Sequence, residues 1–245
     1  MKKFLLLQIR PEDAASDNEY EAFMKFGGLT SEDVHRVRME QYGIPHINLD
    51  DYSGIMQGGG PGNVSDPAEK KQNYQKQYEA DLKRLLDEII EKDFPYIGAC
   101  YGIGAIANHL GGVVSKEKYT EPVGAIDVTL TEAGENDPLL AGIPKNFRAF
   151  VGHKEACQGL PAGVIHLASS STCPVQMIRV KNNIYGCQFH PELDTEGLIV
   201  RVNVYKNAGY FPPEEAEPLI EQVKHEEVIH PSKILKNFVD RYKRD

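Results

Sequence analysis

The chain has 245 residues, of which 41% are hydrophobic and 26% are charged, and its formal net charge is −9. This composition is ordinary for a globular protein with a sizeable core, and the acidic balance argues against a nucleic-acid partner. No apolar run approaches the roughly 20 residues of a membrane span. We therefore expect neither a nucleic-acid-binding nor a membrane protein, and we expect the chain to be cytoplasmic.

In the first half of the chain, short apolar runs alternate with helical patterns. Strands are predicted over Phe4–Ile9, Ser53–Gln57 and Tyr96–Ala99. A helix is predicted over Asp66–Asp93, because Asp66 suits the N-cap and Pro67 suits the first helical position. This alternation predicts an α/β fold with a mostly parallel central sheet and helices on both faces.

After Gly111-Gly112 the pattern changes to a succession of strands. They are predicted over Gly124–Thr131, Phe147–Val151, Val164–Ser169, Val175–Val180 and Ile184–Phe189, and a helix follows from about residue 195 to 207. Prolines then divide the tail into short helices. Since no linker is evident, we predict one domain over 1–245, in which 210–245 form a helical C-terminal extension.

One cysteine lies between glycines at the junction of a predicted strand and a predicted helix, in Gly98-Ala99-Cys100-Tyr101-Gly102. This pattern predicts a tight strand-to-helix turn that presents the Cys100 thiol at the N-terminal end of the helix. We expect that end, together with a nearby histidine, to depress the thiol pKa. The four cysteines have no metal-type spacing, so we expect no metal and no cofactor.

A cysteine nucleophile needs a base and a group that orients the base. His190 follows a predicted strand in Gln188-Phe189-His190-Pro191-Glu192, and Glu192 is close enough in the chain to fix the imidazole. A glycine-rich loop, Gln57-Gly58-Gly59-Gly60-Pro61-Gly62, follows another strand and offers bare N–H groups to an oxyanion.

Along the chain the glycine loop comes first, the cysteine turn second and the His190 motif third. In this order and spacing they resemble the class I glutamine amidotransferases, of the stand-alone glutaminase type, similar to the amidotransferase domain of GMP synthetase. The resemblance implies a flavodoxin-like fold and a Cys–His–Glu triad that releases ammonia from glutamine through a γ-glutamyl thioester. Carried over by position, Cys100 is the nucleophile, His190 the base and Glu192 its partner. The resemblance also implies oxyanion donors and substrate contacts, which are Gly59, Gly60, Tyr101, Gln188 and His153, with Glu155 a further candidate.

The sequence departs from the family pattern at Ile103 and Gly104. Members commonly carry a glutamine at the second of these positions, and its side chain helps to hold the substrate. The substrate is accordingly glutamine or another γ-glutamyl compound. No ATP-binding loop is present, so the ammonia acceptor would be activated by a separate ATP-dependent synthetase subunit. Two alternatives stay open: a stand-alone γ-glutamyl hydrolase and a non-catalytic regulatory module.

Overall fold

The architecture was obtained from a computed structural model, which describes all residues from Met1 to Asp245. The strands are β1 (Lys3–Gln8), β2 (Val34–Arg38), β3 (Tyr52–Gln57), β4 (Tyr96–Ala99), β5 (Val114–Ser115), β6 (Glu121–Leu130), β7 (Asn146–His153), β8 (Ala156–Cys157), β9 (Val164–Ser170), β10 (Met177–Val180) and β11 (Ile184–Cys187). The helices are α1 (Asp13–Gly27), α2 (Met39–Tyr42), α3 (Asn73–Lys92), α4 (Tyr101–His109), α5 (Glu132–Glu135), α6 (Thr195–Tyr205), α7 (Ala216–Val223) and α8 (Pro231–Tyr242).

Nine of the strands form one mixed sheet in the order β2-β1-β3-β4-β11-β10-β9-β6-β7, and β5 pairs with β8 apart from it. The pairings from β2 through β11 are parallel, whereas those from β11 to β7 are antiparallel. The predicted α/β class is confirmed. The sheet is less parallel than we expected, because hairpins such as Lys181-Asn182-Asn183 reverse the chain between neighbouring strands.

The sheet is covered on both faces, and its first strand shows why. Phe4 and Leu6 belong to one hydrophobic core, while Leu5 and Leu7 belong to a second core of the same size. Successive residues of a strand point to opposite faces, so a strand that is apolar throughout must be buried on both. The run Phe4–Leu7 is fully buried, as this rule requires.

The helix predicted from Asp66 begins seven residues later, at Asn73, and that part of the prediction is wrong. The Asp66 carboxylate does not cap a helix; it accepts hydrogen bonds from Asn63 and Lys116. The preceding backbone is held by Glu155, whose two carboxylate oxygens accept from the N–H groups of Val64 and Ser65 at 2.7 and 2.8 Å. These long-range contacts override the local capping signal and keep the segment as a loop.

The last helix, α8, packs against α1 and against the sheet. Its apolar stripe is wholly buried and joins the core that contains Phe4; the stripe consists of Ile234, Leu235, Phe238 and Val239. The C-terminal segment therefore completes one face of the sheet. No helix in the chain combines the length and the apolar character that crossing a membrane would require.

Candidate active site

Cys100 lies between the end of β4 and the first residue of α4, in a strained backbone conformation. Its φ is +50° and its ψ is −92°, which a residue with a β-carbon rarely adopts. The turn also needs glycine at position 98, because a β-carbon there would lie 2.9 Å from Cα of Gly102. The Cys–Gly pattern thus forms the sharp strand-to-helix turn that was predicted from the sequence.

Three neighbouring parallel strands bring the predicted site residues to one edge of the sheet. Gln57, the last residue of β3, is in register with Gly98, and Ala99 is in register with Cys187 at the end of β11. The glycine loop, Cys100 and His190 each follow one of these strands. Carboxyl ends of adjacent parallel strands are where open α/β sheets bind their ligands.

His190 is held by a carboxylate on one of its ring nitrogens. Its Nδ1 lies 2.8 Å from Oε1 of Glu192, and a carboxylate partner favours the tautomer that carries its proton on Nδ1 and leaves Nε2 free to accept one. Arg201 of α6 donates to the same Glu192 oxygen at 2.9 Å. Both His190 and Glu192 are buried, which fixes the imidazole in one orientation.

Gly59 lies against both the nucleophile and the histidine. A β-carbon at this position would lie 2.9 Å from Cε1 of His190 and 3.2 Å from Cβ of Cys100. The N–H of Gly58 donates to the carbonyl of Leu7, whereas the N–H groups of Gly59 and Gly60 have no acceptor in the protein. The loop therefore carries two N–H groups without a protein acceptor, and one of them belongs to the residue that lies against Cys100.

The electrostatics differ from the expectation for Cys100. Burial raises the pKa of the thiol to about 12, although the positive charges of Arg10 and Arg201 act in the opposite direction. The expected depression of this pKa is wrong, because the cost of desolvating a thiolate at this partly buried position outweighs the favourable charges.

The pKa values of His190 and Glu192 are both lowered, which favours a neutral imidazole beside an ionised carboxylate. Burial, reinforced by Arg201 and Arg10, holds the pKa of His190 below its ordinary 6.5 in spite of Glu192. Burial alone would raise the pKa of Glu192, but its interactions with His190 and Arg201 hold it far below its usual range. The resting pair is thus a thiol and a neutral histidine.

A chain of buried ion pairs continues behind the histidine, and sequence reasoning missed it. Arg10, just beyond β1, donates from Nε to Glu19 of α1 at 2.7 Å. The same Glu19 lies 3.6 Å from Arg201, which binds Glu192. A charged residue directly after a buried parallel strand was the signal for Arg10, whereas Glu19 and Arg201 follow only from the tertiary fold.

His153 and Glu155 lie beside the site but are engaged within the protein. The His153 ring bonds the Glu121 carboxylate through Nε2 at 2.7 Å and the Glu155 carbonyl through Nδ1 at 2.9 Å. The Glu155 carboxylate in turn holds the loop at Val64 and Ser65. A direct substrate contact by His153 stays a prediction, and the contacts that it makes here fix Glu155.

Gln188 and Gly104 border the nucleophile on the side of Tyr101. Nε2 of Gln188 lies 4.0 Å from Sγ of Cys100. A β-carbon at Gly104 would lie 3.6 Å from Oε1 of Glu155 and 3.5 Å from Val64, in ordinary contact. The Glu155 carboxylate thus lies next to the space into which the glutamine typical of the family would extend.

Two cavities meet at Cys100, and Tyr210 lines both. The first, which we call the polar cavity, is bordered by Tyr101, Gln188 and Glu155. The second, the apolar cavity, contains His190. Its apolar wall consists of Val123, Val151, Leu193, Leu198, Val202 and Phe211.

The fold and the arrangement of these residues define an α/β protein with a cysteine at a strand-to-helix turn, and comparison with known proteins gives its family. The glutamine amidotransferase class-I family matches residues 16–197. The chain therefore belongs to the class I glutamine amidotransferases, as predicted.

Relatives and solved structures agree with this assignment. The chain is 30% identical over 183 residues to one subunit of the glutamine-hydrolysing GMP synthase of Thermoplasma volcanium, covering 74% of this chain and 82% of that relative. It is 34% identical over 117 residues to the GMP synthase of Thermosipho africanus, covering 47% of this chain, and it spans only 22% of that longer relative. The fold matches a Thermotoga maritima glutamine amidotransferase with a TM-score of 0.77 at 20% identity, over 99% and 98% of the two chains.

Proposed function

We propose that this amidotransferase hydrolyses the side-chain amide of glutamine through a γ-glutamyl thioester on Cys100. The observation that carries the proposal is the strained position of Cys100 beside Gly59, which also contacts the His190 ring. Family membership supports glutamine as the substrate. The catalytic residues are Cys100, His190 and Glu192.

Attack begins with proton transfer, because desolvation raises the pKa of the Cys100 thiol. Nε2 of His190 takes the proton of Cys100 as Sγ adds to the amide carbon, and Glu192 stabilises the imidazolium. The oxyanion accepts hydrogen bonds from the free N–H groups of Gly59 and Gly60 and from that of Tyr101. Tyr101 is the first residue of α4, so its N–H has no acceptor within the helix.

Collapse of the intermediate releases ammonia, and water completes the cycle. The imidazolium gives its proton to the leaving nitrogen as the C–N bond breaks. His190 then removes a proton from the water that attacks the thioester, and the products are glutamate and the free thiol. Gln188 and Glu155 border the polar cavity, where the amino-acid end of the substrate would bind.

A partner would use the ammonia. The Thermoplasma volcanium relative is one of the subunits of a GMP synthase, and this supports a separate ATP-dependent synthetase as partner. We also propose a cytoplasmic setting, in which the four free cysteines stay reduced. Affinity capture of the full chain should recover a synthetase whose glutamine-dependent activity needs this chain, and recovery of none would contradict the partnership.

The proposal is tested by following glutamate and ammonia release together with labelling by diazo-oxonorleucine, a reactive glutamine analogue. The wild-type chain should release both products in equal amounts and be labelled at Cys100. Cys100→Ala should lose both properties. Cys173→Ala, which removes a buried thiol outside the site, should keep them. A wild-type chain that neither turns over glutamine nor reacts with the analogue would instead be a non-catalytic module.

A further inference from the structure

The apolar cavity reaches the reacting atoms, and hydrolysis of glutamine alone does not use it. It shares Cys100 and Gly60 with the polar cavity, and it alone contains His190. The amide nitrogen of glutamine carries only hydrogens, so ammonia would leave this wall uncontacted. A wall of aliphatic side chains and Phe211 offers no hydrogen bond to ammonia.

The two cavities can be assigned to the two ends of a substrate by the chemistry at Cys100. The leaving nitrogen must receive its proton from Nε2 of His190, so whatever is attached to that nitrogen projects toward His190. The acyl group must lie near the oxyanion donors, and Tyr101 borders the polar cavity. The apolar cavity is therefore on the leaving-group side of the scissile bond.

The charged groups at the base of the apolar cavity are already paired. Arg10 is bound to Glu19, and Arg201 is bound to Glu192. These four residues contribute no net charge, which leaves no unpaired ion to attract a charged leaving group. A substituent that fits this cavity is uncharged and apolar.

We propose that the site also accepts, besides glutamine, γ-glutamyl amides of apolar primary amines, with the alkyl or aryl group of the amine in the apolar cavity. This inference rests on the thioester mechanism proposed above and specifies its leaving group. Sγ of Cys100 bonds to the carbonyl carbon of the γ-amide, the C–N bond breaks, and His190 transfers the thiol proton to the departing amine. Water then hydrolyses the thioester, so that the amide and one water give glutamate and the free amine.

The test compares glutamine with its N-methyl, N-isopropyl and N-cyclohexyl γ-amides, whose amines are of similar basicity. Glutamate release reports turnover for all four compounds. Each carbon buried in the cavity should raise kcat/KM, and the two additional carbons of the isopropyl amide should raise it on the order of ten-fold over the methyl amide. Since the three alkylamines have nearly the same basicity, the trend among their amides reports contact with the cavity.

A pair of variants locates the effect. Phe211→Ala removes one apolar wall and should lower the ratio of kcat/KM for the cyclohexyl amide to that for glutamine by about ten-fold. Phe26→Ala is the matched control, because Phe26 is also a partly buried aromatic residue but does not line the apolar cavity. It packs instead against the core that contains Phe4 and α8. This control should leave the ratio unchanged.

The outcomes separate the two proposals. Hydrolysis of glutamine with a kcat/KM that falls along the series would overturn the inference and leave the glutaminase function standing. A rising series whose ratio is the same in Phe211→Ala and in the wild type would also overturn it, since the preference would then arise elsewhere. No turnover of any of the four compounds, together with no labelling of Cys100, would overturn both.

Discussion

At the scale of single residues, the proposed role of His190 as the base ties the pH dependence of the reaction to the titration of its ring. Its pKa lies below 6.5 because of burial and the neighbouring Arg201 and Arg10. A base must be neutral to accept the proton of Cys100, so it is competent above its pKa and loses competence as the pH falls through it. The acid limb of the profile is therefore set by the buried charges around the ring.

We expect the acid limb of kcat/KM for glutamine to have its midpoint below pH 6.5. Arg201→Met removes a positive charge that opposes the imidazolium, and it should move this midpoint to higher pH. Initial rates between about pH 4.5 and 8 give the midpoint. Arg148→Met, which removes a half-exposed arginine paired with Glu226, is the control, and an equal midpoint in both variants would contradict the assignment.

Gly59→Ala should lower kcat about a hundred-fold or more, because the new β-carbon would force His190 and Cys100 apart and misplacement of this kind costs about that factor. Gly124→Ala is the control, since its β-carbon would have no atom within 4 Å. Steady-state kinetics and thermal unfolding of both variants distinguish a local effect from unfolding. Near-normal kcat in Gly59→Ala would show that the close approach is not required.

The residues that could be found from the sequence are those that lie in short motifs. Cys100, His190 and Glu192 each follow a strand and belong to a recognisable local pattern, and the structure brings them to one edge of the sheet. Glu19 and Arg201 could not be found in this way. They lie on two helices, α1 and α6, that are far apart in the chain, and no local spacing encodes their approach to each other or to His190.

At the scale of elements, the loop between β3 and α3 is shaped by contacts from a distant part of the chain. The Glu155 carboxylate accepts two backbone N–H groups of this loop, and His153 fixes the backbone of Glu155. The capping signal at Asp66 was misleading because these contacts are stronger than one helix cap. The sequence pattern likewise identified the strands of the second half but not their direction, since alternation is the same in parallel and antiparallel strands.

We expect Glu155→Ala to raise KM for glutamine about ten-fold with a smaller effect on kcat. Two hydrogen bonds to a charged group are lost, and each is typically worth about 1.5–3 kcal/mol, part of which water recovers when the loop moves. Glu155→Gln keeps one acceptor oxygen and should be intermediate. Steady-state kinetics measure the split, and an effect confined to kcat would instead place Glu155 in the chemical step.

At the scale of the whole molecule, the C-terminal segment belongs to the core. Four side chains of α8 are buried against the strands and α1, so the helix cannot be removed without exposing one face of the sheet. We propose on this basis that residues 1–245 fold as one domain. The sequence indicated an extension here, because its prolines and mixed charges resemble a peripheral tail, and the burial of α8 depends on a face that only the folded sheet provides.

Phe238→Ala should lower the free energy of unfolding by about 3–5 kcal/mol, the usual cost of emptying a buried aromatic site. Chemical denaturation followed by circular dichroism and by Cys100 labelling should give one coincident transition for both signals. Ile229→Ala, at a position that is 58% exposed, should change little. A separate early transition for the C-terminal helices would contradict the one-domain proposal.

The raised pKa of Cys100 has a consequence for the survival of the protein between turnovers. Peroxides and other mild oxidants attack thiolates far faster than thiols. In the mechanism proposed above, the nucleophile gives up its proton to His190 only as the substrate is attacked, so the empty site would present little thiolate to such reagents. The desolvation that raises the pKa of the partly buried Cys100 thiol would thus also slow its oxidation between turnovers.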